Sequence, residues 1–209
     1  MMPILTSAIA VIAAYLIGSV SFAVVVTRLF GLSDPRTYGS GNPGATNVLR
    51  SGSKKAAVLT LILDALKGFI PVRLALWLAP VMGWTDYVVA AVAIAAFLGH
   101  LYPVFFNFKG GKGVATAAGV LTGIYPFFGL SVIVVWLVVA VAFRYSSLAA
   151  LAAAIAAPPL YYFIFANHWL SVPVLTAIAV MSALLIYRHK QNISNLVAGK
   201  ESKIGSKKE

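Results

Sequence analysis

The chain has no cysteine and only five acidic residues among 209. The first absence removes a disulfide framework, a thiolate nucleophile and any Cys-based zinc site. The second makes a carboxylate-held metal ion unexpected, and the three histidines, His100, His168 and His189, are scattered without ligand spacing. Neither a metal nor another cofactor is expected. Charged residues are also scarce, at 10% of the chain against 61% hydrophobic, with mean hydropathy +0.93. Such values lie outside the range of soluble domains. The longest polar stretches reach only roughly 25 residues, too short for a separate soluble domain. The chain therefore reads as one integral membrane domain, 1–209, with a flexible basic tail over about 202–209.

The net charge of +11 would suggest nucleic acid in a soluble protein. In a membrane chain it is explained by cytoplasmic loops rich in Lys and Arg, and no nucleic-acid partner is expected. The surplus can still steer anionic ligands.

The first apolar segment, 3–30, is too long for a signal-peptide core and has no basic leader, so it reads as one retained helix. Further apolar segments cover 56–82, 86–106, 127–143, 146–166 and 169–187, near the ~20 residues needed to cross a bilayer core. Segment 113–123 is apolar too, but as a helix it is only about 16 Å long. Gly123-Ile124-Tyr125-Pro126 then punctuates the chain. Charge chooses between one pass and two over 114–143. With seven passes and the N-terminus outside, the inside segments are 31–55, 107–112, 144–145 and 188–209. They hold Arg36, Arg50, Lys54, Lys55, Lys109, Lys112, Arg144 and the basic tail, while 83–85, 124–126 and 167–168 hold no Lys or Arg. Six passes would put Arg144 and the tail on the other side. The predicted fold is thus all-α: a polytopic bundle of seven transmembrane helices, N-terminus outside and C-terminus cytoplasmic. Its short helix must be sheltered by neighbours or lie in a thinned region. Trp77, Trp84 and Trp169 fall near outer ends and read as an aromatic belt.

This topology puts three polar tracts on one face. The first, 33–47 (SDPRTYGSGNPGATN), is glycine-rich and precedes an expected helix. Gly39 and Gly41 let backbone N–H groups converge on an anion, which a helix N-terminus also favours. Ser40, Asn42, Thr46 and Asn47 add donors, and Arg36 and Arg50 can grip phosphate bidentately. The second, 107–116 (NFKGGKGVAT), offers Lys109, Gly110, Gly111, Lys112, Gly113 and Thr116. It resembles a phosphate loop without being Walker A: Phe106 stands where the first glycine would be, and Gly113 replaces the Ser or Thr. Nucleoside triphosphates are disfavoured and a smaller phosphate ester stays open. The third, 188–201 (RHKQNISNLVAGKE), follows the last apolar segment. His189 and Asn192 share a face if the helix continues, and Arg188 flanks them. A lone membrane-surface histidine such as His189 reads as a solvated interfacial group, while its pairing with Asn192 and Arg188 points to a phosphate or hydroxyl contact; Glu201 reads as an ion-pair anchor for the tail. Inside the second apolar segment, Asp64 and Lys67 stand at i, i+3. They form a mutual ion pair, or Lys67 reaches toward the anion site. Ordinary capping turns with positive-inside lysines would also account for the first two tracts.

In this order the motifs resemble the bacterial acyl-phosphate:glycerol-3-phosphate acyltransferase family. The matching residues begin with Asp34-Pro35-Arg36, the run from Gly39 to Asn47, and Arg50. They continue through Asp64-Ala65-Leu66-Lys67-Gly68, Gly99-His100, Tyr102-Pro103 and the run from Phe108 to Thr116. Arg188-His189, Asn192-Ile193, Gly199 and Glu201 complete them. Asn195 departs from the pattern, which usually has Arg after Asn-Ile-x; Lys190 or Lys200 are the available substitutes. The resemblance implies a multi-pass enzyme of the bacterial inner membrane. It would transfer a fatty acyl group from acyl phosphate to the 1-hydroxyl of glycerol 3-phosphate, giving lysophosphatidic acid and phosphate in the first acylation of phospholipid synthesis. Ser40, Arg50, His189 and Asn192 match positions needed for activity, the second tract matches the glycerol 3-phosphate site, and Glu201 matches a structural position. Membrane lipids would be further partners.

Acyl phosphate is an activated mixed anhydride, so positioning and charge neutralisation can supply most of the catalysis. No Ser-His-Asp or Cys-His arrangement is evident, and neither His100 nor His189 has an Asp five residues later. Direct attack by the hydroxyl is favoured over an acyl-enzyme, with the proton passing to His189 or, preferably, to a substrate phosphate oxygen. The competing class, an organic-phosphate transporter, needs a site near the bilayer midplane and repeated halves. No internal repeat is evident.

Overall fold

The computed structural model describes residues 2–165 and 170–205. Among them every regular element is helical and no strand occurs. The elements are α1 (Met2–Gly18), α2 (Phe22–Leu29), α3 (Ala45–Leu49), α4 (Lys54–Met82) and α5 (Asp86–Leu101), followed by a 3-10 turn (Val104–Phe106). Then come α6 (Val114–Ile124), α7 (Pro126–Phe143), α8 (Ser146–Phe165), α9 (Val172–Arg188) and α10 (Lys190–Val197).

Three stretches are long and apolar enough to cross a membrane, Asp86–Phe106, Pro126–Phe143 and Ser146–Phe165, or up to five if each of two bent pairs counts as one span. Their outer faces carry large apolar side chains; Val141 is 78% exposed and Phe163 74%. A water-soluble surface does not tolerate so continuous an apolar coat, whereas lipid does. The core lies around α5, whose Phe97 and Leu101 are fully buried beside Phe128 and Ile178.

The first apolar segment is not one helix. It bends by 44° between Pro3–Gly18 and Phe22–Leu29, across Ser19-Val20-Ser21, where the helical hydrogen-bond ladder lapses. The freed carbonyl of Val20 accepts from Lys67 Nζ at 2.7 Å. A backbone acceptor inside an apolar bundle needs such a partner, so the break and the buried lysine explain each other. Segment 114–143 does divide, at Tyr125, and Pro126 takes the first helical position of α7, where its missing N–H costs nothing.

The 11-residue α6 is sheltered by α4. A Cβ on Gly68 would run into the carbonyl of Thr116, and one on Gly119 into that of Ala65. Small residues on both helices thus let the backbones touch. The same device joins α1 to α5, where Gly18 meets Ala96 and Gly99 meets Tyr15. In lipid, where no hydrophobic force separates helix from solvent, such van der Waals closeness does the packing. At the expected aromatic belt, Trp77 is 74% exposed and Trp84 Nε1 donates to Thr6 Oγ1 at 3.1 Å. Trp169, the 167–168 connection and tail residues 206–209 lie outside the described residues.

Candidate functional site

The first tract is built on Asn47. Its buried side chain accepts from the Ser40 N–H at 3.0 Å and donates to the carbonyls of Pro35 at 2.6 Å and Tyr38 at 3.2 Å. One amide therefore folds the loop, which an asparagine can do because it offers both an acceptor and two donors. Ser40 itself is left exposed, with Arg50 and Thr46; Thr46 Oγ1 lies 3.4 Å from Ser146 Oγ. Half-buried Asn42 packs its amide against Gly44. Arg36 is engaged by Asp34, with contacts of 2.6 to 3.1 Å, and its guanidinium holds the Asp34 carboxyl below its ordinary value. The helix expected after this tract is α3, only five residues long. That is too short to build an appreciable macrodipole. The glycine-loop N–H groups do not converge on an anion as expected either, since those of Ser40 and Gly41 are spent on Asn47 Oδ1 and the Tyr38 carbonyl, both at 3.0 Å, which leaves side chains to grip one.

The second tract lies on a bed made by the end of α5. The Gly111 N–H donates to the His100 carbonyl at 3.1 Å. A Cβ on Gly110 would strike the carbonyls of His100 and Leu101, and one on Gly111 would strike His100 Nε2 and lie 3.1 Å from the carbonyl oxygen of Pro43. Glycine is thus required by close approach, and the Pro43 contact ties this loop to the first tract. Gly113 caps α6 with φ +84°. Beneath the loop, His100 Nδ1 lies 3.1 Å from Thr116 Oγ1 and 3.7 Å from Asp64 Oδ1. A nitrogen facing a hydroxyl and a carboxylate is best assigned the ring proton. Asp64 Oδ1 is also 2.7 Å from Lys67 Nζ, a close ionic contact in which Oδ1 accepts no well-directed hydrogen bond.

The third tract closes over the second. Arg188 donates through Nε and Nη2 to the carbonyls of Gly110 and Gly111, at 2.9 to 3.2 Å, and its guanidinium stacks 5.7 Å from the Tyr102 ring. The helix does not continue straight: α10 leaves α9 at 57°, and His189 is the residue at the bend. His189 is buried, at 3% exposure, and not the solvated interfacial group expected. Its Nδ1 lies 2.8 Å from the Leu185 carbonyl, which can only accept, so Nδ1 carries the proton and Nε2 keeps the lone pair. Asn192 Oδ1 accepts from Lys112 Nζ at 2.6 Å, and its Nδ2 donates to Glu201 Oε1 at 2.7 Å. Glu201 also accepts from Ser147 Oγ at 2.6 Å and from Asn195 Nδ2 at 3.3 Å. It anchors the tail by hydrogen bonds to neutral groups in place of the expected ion pair.

Electrostatically the site is short of negative charge. Burial pushes the Lys112 ammonium below its ordinary value; Arg188 and Arg50 push the same way and Glu201 opposes them. Burial likewise pushes His189 down to about 4, aided by Lys112 and Arg188 and resisted by the Leu185 carbonyl and Glu201. Dehydration thus outweighs the neighbouring cations. Among the described residues no group of three or more His, Asp or Glu can hold a metal.

The three tracts meet, 33–47 with 107–116 through Pro43 and Gly111, and 107–116 with 188–201 through Lys112 and Arg188. Gly110, Gly111 and Gly113 are buried, and three predicted side-chain contacts do not reach the surface either. Lys67 is only 3% exposed, Thr116 is fully enclosed and Asn47 is 2% exposed, each with its polar atoms engaged internally. They set the loops and have no face to offer a ligand. Lys109 stays exposed. Sequence reasoning missed His100 as the bed of the glycine loop, although Gly99-His100 was among its matching residues. It also missed Ser147 and Ser202, for which the sequence carries no signal.

The chain's kinship is extensive. A family profile described as glycerol-3-phosphate acyltransferase matches residues 8–199. The glycerol-3-phosphate acyltransferase of Ralstonia pickettii is 58% identical over 208 residues, covering 100% of this chain and 99% of the relative. That of Burkholderia ambifaria is 62% identical over 200 residues, covering 96% and 92%. The fold matches crystal structures of PlsY (YgiH), an integral membrane glycerol 3-phosphate acyltransferase, at 44% identity over 96% of each chain. The TM-score is 0.86 for its glycerol 3-phosphate form and 0.84 for its lysophosphatidic acid form. With its apolar helices and a match that runs nearly end to end, the chain belongs to the glycerol-3-phosphate acyltransferase family of integral membrane enzymes.

Proposed function

We propose that the protein transfers a fatty acyl group from acyl phosphate to the 1-hydroxyl of glycerol 3-phosphate, releasing lysophosphatidic acid and inorganic phosphate. In this reading the bundle has seven passes in the bacterial inner membrane, with the N-terminus outside and the three tracts on the cytoplasmic face. The reaction would be the first acylation of phospholipid synthesis.

The observation that carries the proposal is the unbalanced cationic cluster. Lys112 sits partly dehydrated among Arg50 and Arg188, and the nearby carboxylate, Glu201, is already committed to Ser147, Asn192 and Asn195. Such a cluster is relieved by bound anions, and both proposed substrates carry phosphate. Arg50, Lys109 and Lys112 would neutralise the phosphates, with the exposed Ser40 hydroxyl positioning them. Exposed Phe105, just before the second tract, and Phe108 within it would give the acyl chain an apolar neighbour.

The hydroxyl oxygen of glycerol 3-phosphate attacks the acyl carbonyl carbon, the bond from that carbon to the phosphate oxygen breaks, and inorganic phosphate leaves. No acyl-enzyme is needed because the donor is already activated. The hydroxyl proton passes to a phosphate oxygen. A histidine with its value pushed down to about 4 is a weak base at neutral pH. His189 instead offers its Nε2 lone pair to orient a hydroxyl, with Asn192 holding Lys112 in place.

Purified protein given palmitoyl phosphate and glycerol 3-phosphate should release phosphate and lysophosphatidic acid in equal amounts. Formation of lysophosphatidic acid from palmitoyl-CoA but not from palmitoyl phosphate would sink the donor assignment.

A further inference from the structure

We infer that residues 200–205 form a strap across the mouth of the site and that Ser202, at its middle, is a positioning residue for Arg50. The inference rests on the reading above that Arg50 binds a substrate phosphate. The tail was expected to be flexible from about 202, yet each end of this strap is pinned. At the start, the Lys200 N–H donates to the Asn195 carbonyl at 2.7 Å, and Glu201 accepts from Ser147 and Asn192 at 2.6 and 2.7 Å. At the far end, the Ile204 N–H donates to the Arg144 carbonyl at 2.6 Å, and Arg144 Nη2 returns a hydrogen bond to the Ile204 carbonyl at 3.1 Å. Lys203 lies over the Tyr145 ring at 5.8 Å. Gly199, with φ +67°, turns the chain out of α10 into the strap, a conformation that suits glycine.

Between these anchors Ser202 Oγ accepts from Arg50 Nη2 at 2.9 Å, joining residues 152 apart in sequence. Arg50 is exposed and lies on a long, flexible stem. Among the described residues no carboxylate lies within ion-pair distance of it, so the serine is its polar tether. A hydroxyl has the right character for that task. It consumes one of five N–H donors, and it leaves the full positive charge for a phosphate, which a carboxylate would neutralise. The strap thus pre-sets the guanidinium without competing for it. Two phosphates enter this site, one on each substrate, and the kinetic arms below separate them.

The test is steady-state kinetics of the full chain with palmitoyl phosphate and glycerol 3-phosphate, reading KM for each substrate and kcat separately. Arg50→Lys identifies which KM depends on the guanidinium. Ser202→Ala should raise that same KM by about 3- to 10-fold while kcat stays within about twofold. Ser202→Thr, which keeps the hydroxyl, should restore it. A chain ending at Glu201 keeps the Glu201 bonds, loses the Ile204 anchor, and should raise the same KM at least as far as Ser202→Ala. If Arg50→Lys raises a KM and Ser202→Ala raises none, or raises the other substrate's, the strap inference is overturned while the phosphate role of Arg50 stands. A lower KM in Ser202→Ala would also overturn it, by showing that the serine competes with substrate. If Arg50→Lys changes neither KM, the underlying phosphate assignment fails and the inference with it. Should the unaltered protein release no phosphate from palmitoyl phosphate, the donor reading fails. Calorimetric titration of the same variants with glycerol 3-phosphate and with inorganic phosphate then decides the strap, whose loss must weaken a binding constant that Arg50→Lys also weakens.

Discussion

Gly111→Ala tests the claim that the glycine loop is shaped by His100 beneath it. An added Cβ would overlap His100 Nε2, lie 3.0 Å from His100 Cε1 and 3.1 Å from the Pro43 carbonyl oxygen. The ring has no retreat: it is 6% exposed, and its Nδ1 faces Thr116 and Asp64. The loop is also held from above, because Arg188 binds the carbonyls of Gly110 and Gly111. Relief must come from displacement of Lys112 or from strain, and overpacking of this kind costs about 1–3 kcal/mol. If the loop yields, kcat/KM falls about 5- to 150-fold. If the bed yields, the cost appears as a lower unfolding temperature in detergent. His100→Ala opens the space the new methyl needs. Gly111→Ala should therefore cost less in that background than in the native chain, with a coupling of at least about 1 kcal/mol. Native-like activity and stability in Gly111→Ala, or strictly additive effects in the double variant, would refute the argument.

Three more outcomes follow from the same geometry. Asp64→Asn removes the only carboxylate within ion-pair distance of the Lys67 ammonium among the described residues, leaving a buried charge with the Val20 carbonyl and the Phe22 ring but no counter-charge, so it should destabilise the protein by about 3–5 kcal/mol; adding Lys67→Met should recover part of the loss in a thermal-unfolding assay. His189 has a folded value of about 4 against an ordinary ~6.5, so the unfolded chain binds more protons between those values. Stability from this group is complete above about pH 6.5 and is lost as pH falls toward 4, by on the order of 3 kcal/mol. The unfolding temperature of His189→Gln should then depend less on pH over that window than that of the native chain, and a native profile with no such excess slope would exclude a buried neutral His189. Asn195→Arg places a cation against Glu201 Oε2, where the amide now sits at 3.3 Å. At this half-buried position the gain should reach at most about 1 kcal/mol, and a fall in unfolding temperature would show that Glu201 is already satisfied.

The helical class, the apolar segments and the break before Pro126 were legible because they depend on hydropathy and on punctuation by Gly and Pro, which are properties of neighbouring residues. The bend at Ser19-Val20-Ser21 was not. Its residues carry neither Gly nor Pro, and what permits the break is Lys67, 47 positions away, donating to the Val20 carbonyl. The i, i+3 spacing of Asp64 and Lys67 did reveal their pairing, found at 2.7 Å. It could not reveal that the same ammonium also caps a broken helix, or that the same carboxylate faces His100. Helix α10 shows a similar limit: the 3.6-residue period put His189 and Asn192 on one face, but the 57° bend at His189 depends on tertiary packing.

Residue type also picked out the polar tracts and assigned most of their members to ligand contact, and burial divides them differently. Asn47, Lys67 and Thr116 have the donors of a phosphate site and use them inward. Arg188 uses Nε and Nη2 to hold two glycine carbonyls. Lys112 is held by Asn192, which Glu201 holds in turn. The side chains left exposed, Arg36, Ser40, Thr46, Arg50 and Lys109, are few; Arg36 is already engaged by Asp34, and Ser40 belongs to a loop that a single buried amide folds. A site of this kind obtains its precision from polar groups that never meet the ligand, because an exposed arginine or lysine on a glycine loop has no fixed direction of its own. In lipid the inward-facing groups carry a second constraint, since each unsatisfied donor or acceptor there costs several kcal/mol, as an estimate of order. Replacing one of them should thus disturb folding and catalysis together, whereas replacing an exposed cation should disturb catalysis alone.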